Sequence, residues 1–138
     1  MTISIKFELV APEQLLMAMS VEMVVVPGAE GNFGVLHDHS PFISAVRTGV
    51  IDVYESDQNS VDRRIFVSGG FTEVTPERCT VLADEAIDLD GANRAAAEKR
   101  LKDAQERLGD AETDEQRQAV QSSIAITEAL VTAISENS

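Results

Sequence analysis

Tryptophan is absent, and a single tyrosine accompanies five phenylalanines, so aromatic rings cannot dominate the core. The packing has to come from Val, Ile, Leu, Ala and Met, and hydrophobic residues at 43% of the chain are enough for one. Basic residues are scarce: 11 Lys and Arg stand against 24 Asp and Glu, a formal net charge of −13. That balance argues against nucleic acid and anionic lipid, because both are gripped by clustered cations. It suits a protein partner with basic patches, and it also serves solubility alone. Cysteine occurs once, so no internal disulfide can form, which suits a reducing compartment. Cys79 lies in the alternating run "RCTVLAD" and reads as a small core residue rather than a nucleophile. Long apolar runs are missing too. The longest uncharged stretch, residues 118–127, carries Gln and Ser, so no membrane span is expected. "MTISIKFELV" sets Lys6 and Glu8 where the apolar region of a signal peptide would lie, so none is expected. The expectation is a soluble chain that meets a membrane only through partners.

The length of 138 residues suits one domain, or a small domain with an appendage. From residue 2 to about 87 the pattern is short β-type runs broken by turn residues. "SIKFELVAP" alternates Ile5, Phe7 and Leu9 against Lys6 and Glu8, and "VEMVVVPG" is nearly all apolar up to a Pro-Gly breaker. "GVIDVYES" sets Ile51 and Val53 against Asp52 and Tyr54. "RRIFVSGGFTEVTPERCTVLADEAI" reads as two hairpins, one turning near "SGG" and one at "TPER" with Pro76 in the second turn position. Many short strands at close spacing predict a β-sandwich or flattened barrel.

From Asp88 the period becomes helical, giving domains of 1–87 and 88–138. Ala97, Leu101, Ala104 and Leu108 form a stripe, and Gly109 reads as a stop. "TDEQ", Thr113 to Gln116, is a capping-box pattern that opens a second helix. That helix carries Val120, Ile124, Val131 and Ile134, flanked by Ile126, Leu130 and Ala133. Two amphipathic helices with a short turn between them predict an antiparallel hairpin. Its apolar stripe must cover the other helix, the sandwich or a partner, and the Ala-rich first helix favours packing of the two helices on each other. The fold class is therefore α+β, mostly β.

The densest cluster of unusual residues is 27–42, "PGAEGNFGVLHDHSPF", with both histidines of the chain. Gly31, His37, Asp38 and His39 fit the opening of a cupin-like metal motif. The Glu expected after the second His is missing, since Pro41, Phe42, Ile43 and Ser44 follow, and there is no third His. Catalytic metal sites normally have three well-placed protein ligands. A Ser-His-Asp triad fails as well, because His37, Asp38, His39 and Ser40 are consecutive and alternate sides on an extended backbone. No Gly-Lys-Ser follows the glycines, which excludes a Walker loop. What remains is shape: Gly28, Gly31 and Gly34 allow sharp turns or close approach, Pro27 and Pro41 stiffen the ends, and Phe33, Val35, Leu36 and Phe42 alternate between anchoring and display. A rigid loop of this kind is a docking element.

"PGAEGNFGVLHDHSPFISAVRTGVI" followed by "VSGGFTEVTPERCTVLADEAIDLD" resembles the ε-subunit family of bacterial F-type ATP synthase, equivalent to mitochondrial δ. The resemblance runs from Phe7 to Leu108, and the last thirty residues match only in helical character. It implies a ten-stranded β-sandwich followed by an α-helical hairpin. It also implies a non-catalytic subunit of the rotary central stalk, peripheral on the cytoplasmic face of the bacterial inner membrane, without catalytic residues, metal or cofactor. The implied partners are the γ subunit and the ring of c subunits, with the β subunit a further candidate through the hairpin. Carried over by position, residues 29–39 match the loop that meets the c ring, with Ala29, Glu30, Gly31, Asn32, Phe33, Asp38 and His39 as contact residues. Asn32 stands where some relatives have an acidic residue. A free-standing sandwich module using His37 and His39 for a metal or ligand is the alternative, which a stoichiometric metal would support.

Some family members bind ATP at the start of the hairpin through Ile-Asp-x-x-Arg-Ala. Here "IDLDGANRAA" puts Arg94 six residues after Asp88 and four after Asp90, and the second helix offers only Arg117. Phosphates without converging cations or a backbone cradle bind poorly, so no ATP binding tighter than millimolar is expected. In some relatives basic residues of an extended second helix meet an acidic segment of β and stop hydrolysis. Residues 113–138 have one cation, Arg117, against four carboxylates, a net −3, which implies a weak brake.

Overall fold

A computed structural model describes residues 4–137, so Thr2 and Ser138 lie outside the described residues. The chain divides into two compact units, Met1–Asp90 and Gly91–Ser138.

The first unit holds eight strands among the described residues: β1 (Ile5–Ala11), β2 (Gln14–Val21), β3 (Met23–Gly28), β4 (Gly31–Val35), β5 (Phe42–Tyr54), β6 (Arg63–Val74), β7 (Arg78–Ala83) and β8 (Ala86–Asp88). They pair in the order β2-β1-β7-β6-β5-β3-β4, with β8 on β6. All contacts are antiparallel except β1 with β7, which is parallel. Strand β1 alternates as its sequence predicts, with Ile5, Phe7 and Leu9 buried.

The two-layer form is written in a change of phase along the long strands. In β6, the odd positions Ile65 and Val67 belong to the sandwich core while Phe66 is buried outside that cluster, and past Gly69 and Gly70 the inward side passes to the even positions Thr72 and Val74. Strand β5 changes phase in the same place, from Val46 to Ile51 and Val53. Since side chains alternate faces strictly, such a slip means that the strand has turned a corner and offers its other face to the same interior. Every strand from β1 to β7 contributes to that one core. The result is a β-sandwich, as expected.

Three expectations change. The resemblance implied ten strands, but β5 and β6 run through the corner unbroken, and counting the two halves of each separately would restore the number. "SGG" is not a hairpin turn. Gly69 and Gly70, with φ of 115° and 132°, sit inside β6, where they let the backbone bend while the ladder continues. The change of period at Asp88 comes too early for the backbone, because Ala86–Asp88 pairs with β6 and the helices begin at Arg94. "TPER" is the turn it resembles: Thr75 and Arg78 exchange backbone hydrogen bonds of 2.8 and 3.3 Å.

The second unit is α1 (Arg94–Asp110) and α2 (Asp114–Asn137), packed on each other. The Asn93 side chain caps α1 by accepting from the Ala96 N–H at 3.0 Å. Gly109 lies within its last turn instead of beyond it. The capping box forms reciprocally: Gln116 N–H donates to Thr113 Oγ1 at 3.1 Å, and Gln116 Oε1 accepts from the Thr113 N–H at 3.2 Å. The buried line of α1 is Ala97 and Ala104. On α2 it is Thr127, Leu130, Ala133 and Ile134, while Val120, Ile124, Ile126 and Val131 are half-buried. Thr127 can sit inside because its hydroxyl donates to the Ser123 carbonyl at 2.7 Å.

Candidate docking site

Residues 27–42 are not one loop. Strands β3 and β4 make a tight hairpin with Gly28 paired to Gly31, leaving Ala29 and Glu30 exposed at its tip. A Cβ on Gly28 would meet the Gly31 carbonyl oxygen and the Phe33 ring at 2.8 Å, so this corner accepts only glycine. Gly31, with φ 139°, is exposed. The tip is tied to β5 by the Ala29 N–H donating to the Ala45 carbonyl at 2.9 Å. Arg47 also donates to the Gly28 carbonyl and to Asn32 Oδ1, both at 2.6 Å. Asn32, expected as a contact residue, is thus also a partner of Arg47.

Asp38 and His39 lie past the far end of β4, separated from the tip by roughly 13 Å of strand at ~3.3 Å per residue. Asp38 adopts φ 67°, and its N–H donates to the Pro76 carbonyl at 2.7 Å, pinning this loop to the β6–β7 turn. His39 closes a turn back to the Leu36 carbonyl at 3.2 Å. Its ring centre stands 5.1 Å from that of Phe42, which meets Phe33 edge-on at 5.0 Å. Phe33, Phe42 and His39 are therefore brought together, while Glu30 and Asp38 are not.

His37 Nδ1 is buried and lies 3.3 Å from Asp38 Oδ1, in a geometry that makes no hydrogen bond. Among the described residues, no group of three His, Cys, Asp or Glu side chains is placed to hold a metal ion.

One surface escaped the sequence reading. Ala45, Phe71, Leu82, Val10 and Leu15 stand side by side across β5, β6, β7, β1 and β2. Phe71, Leu82 and Leu15 are 60%, 53% and 57% exposed, and Ile43, two residues along β5 from Ala45, is 72% exposed. A row of large apolar side chains on the outer face of a sheet marks a protein contact surface. The signal was present in the alternation: with Thr72 and Val74 inward, Phe71 has to point out.

A family model described as "ATP synthase, Delta/Epsilon chain, beta-sandwich domain" matches residues 4–89. The chain belongs to the ATP synthase delta/epsilon family. This family member is 53% identical to the ATP synthase epsilon chain of Rhodospirillum centenum over 128 residues, covering 91% of this chain and 88% of the relative. It is 50% identical to the epsilon chain of Rhodospirillum rubrum, covering 93% and 94%. In fold it is similar to a chain in the Euglena gracilis mitochondrial ATP synthase structure of OSCP, F1 and c-ring, at TM-score 0.76 and 21% identity, covering 95% of this chain and 81% of that one. A chain of the Tetrahymena thermophila mitochondrial central stalk and c-ring gives TM-score 0.62 at 13% identity, covering 94% and 96%. The family membership accounts for the sandwich. No helix among the described residues is long and apolar enough to cross a membrane.

Proposed function

We propose that the chain is a non-catalytic subunit of the rotating central stalk. It would couple the turning c ring through the γ subunit to ATP synthesis, peripherally on the cytoplasmic face of a bacterial membrane. The observation that carries this reading is the exposed row Phe71–Leu82–Leu15, which a coupling subunit needs buried against a partner. We assign that row to γ, and the exposed hairpin tip (Ala29, Glu30, Gly31 and Asn32) to the c ring, with Phe33, Asp38 and His39 as further contacts. A stalk interface that carries torque calls for an area of about 1,200–2,000 Å² or more, and the net charge of −13 calls for basic complements. A sandwich whose strands run unbroken through its corner suits an element that must keep its orientation under torque.

The test is purification of the tagged chain from its native membranes, with partners identified. Recovery of γ and c is expected, with γ lost in the Phe71→Glu/Leu82→Glu variant; recovery of neither from wild type sinks the reading. Cysteines at Glu30 and at His39 should each cross-link to a c-ring loop, and their separation along β4 lets the two placements fail independently.

Regulation by the hairpin is proposed to be weak. The cation of α2, Arg117, is engaged by Asp114 at 2.7 Å within the first turn. Asp114, Glu115, Glu128 and Glu136 would face any acidic segment of β as like charges, each close pair costing roughly 1 kcal/mol in water and less in salt. Removal of residues 91–138 spares the whole of β8, and it should change ATP hydrolysis by the assembled enzyme by under about twofold. A tenfold rise, about 1.4 kcal/mol, would mean that the hairpin inhibits despite its charge.

A further inference from the structure

The hairpin tip is carried by a weak stretch of sheet. Strand β3 pairs with β5 in one register from Met23 to Val25, and the register then slips by three residues before Gly28 meets Val46. Val26 and Pro27 therefore have no regular partner on β5, and proline has no N–H to give one. On its other side, β4 is the last strand of the sheet. Beyond the slip the tip is tied to β5 by the Gly28–Val46 pair, the Ala29–Ala45 hydrogen bond and the edge-on contact of Phe33 with Phe42, and one polar side chain adds to these. Arg47 sends Nη1 to the Gly28 carbonyl and Nη2 to Asn32 Oδ1, each at 2.6 Å. Gly28 ends β3 and Asn32 belongs to β4, so a single guanidinium spans both arms of the hairpin from a third strand.

This geometry needs arginine. A planar fork with two parallel donors can hold two acceptors at once, whereas lysine is a point charge on a flexible stem. Gly31, exposed at φ 139° with nothing near the place of its Cβ, gives the tip a point about which to move once the fork is gone.

We infer that Arg47 is a positioning residue: it fixes the direction of the Ala29–Glu30 tip and so prepares the tip for docking. The docking half of this inference rests on the placement of the tip against the c ring. The clamp itself rests only on the three strands.

The experiment uses amide exchange in the full-length chain and cross-linking in the assembled complex. Arg47→Ala and Arg47→Lys should each speed exchange of the Ala29 N–H by about tenfold. The unfolding midpoint and the exchange of core amides in β6 should stay in place. Asn32→Ala should loosen the same amide, and adding it to Arg47→Ala should have less effect than in the wild type, because the two share one interaction. In the complex, the cross-link from a cysteine at Glu30 to the c ring should fall several-fold in Arg47→Ala, while cross-links to γ stay intact. Unchanged Ala29 exchange in both Arg47 variants would overturn the clamp, as would a general loosening in which all sandwich amides move together. A loosened tip that still cross-links at full yield would overturn the docking role. A cysteine at Glu30 that fails to cross-link with Arg47 present overturns the c-ring placement and the docking half with it, leaving the clamp to be decided by exchange.

Discussion

The Leu82 carbonyl oxygen occupies the place where a Cβ on Gly70 would have to stand. Such a Cβ would also come within 2.9 Å of the Leu82 carbonyl carbon and 3.0 Å of Ala83 Cα. All of these are atoms of the neighbouring strand's backbone, so no rotamer change can relieve the clash. At φ 132° a β-branched side chain adds strain of its own. Gly70→Val should therefore cost well over ~1 kcal/mol, read as a lower midpoint in urea unfolding of the full chain. An unchanged midpoint would remove the close approach of β6 and β7 from the account. Gly91→Ala is the control: its φ is 85°, but nothing lies near its Cβ, so only the smaller backbone term remains.

Cys79 is wholly buried in β7, and burial pushes its thiol up to about 12. A thiolate is the reactive form, so the native chain should resist alkylation near pH 8 and modify at once in denaturant. Labelling with iodoacetamide followed by mass spectrometry reads this directly. Stoichiometric labelling of native protein would contradict the packing of β7 against the core.

Asp52 on β5 stands opposite Arg64 on β6, with 3.7 Å between Oδ1 and Nε. Burial raises its carboxyl above the ordinary 3.8, and the nearby arginine offsets part of that rise. A raised folded-state value means that the folded chain binds the proton more tightly than the unfolded one. The contribution of Asp52 to stability is thus greatest below 3.8 and falls as pH rises through the folded value. Asp52→Asn should be at least as stable as wild type at pH 7, and the difference should vanish towards pH 3. Urea midpoints across that range test the sign, and a variant that is less stable at neutral pH would show that the Arg64 pair outweighs burial.

Thr72 is fully buried on β6, and its Oγ1 has no hydrogen-bond partner among the described residues. An unpaired buried hydroxyl costs about 1–3 kcal/mol. Thr72→Val keeps the shape and the β-branch while removing that group, so it should raise the unfolding free energy by up to about that amount. A loss of stability would show that the hydroxyl is satisfied in solution.

The local chemistry of the chain determined much. The alternation of Ile5, Phe7 and Leu9, the Thr75–Arg78 turn and the Thr113–Gln116 capping box depend on residues within a few positions of one another. Each forms as its sequence reads.

Tertiary structure decided what depends on distant partners. "SGG" has the composition of a turn, and only the pairing of β6 with β5 on one side and β7 and β8 on the other turns it into a strand corner. Strand β4 reads as loop because its glycines suppress the strand signal, and β3 supplies the ladder that makes it a strand. The outward row from Ala45 to Leu15 draws on five strands, with positions as far apart as 10 and 82 placed side by side by a parallel pairing that no local pattern encodes. Arg47 gains its role only because the register slip between β3 and β5 brings Gly28 and Asn32 within reach of one guanidinium. Local propensity acts over a few residues, whereas register and side-chain reach are fixed when the strands of a whole sheet settle around one core.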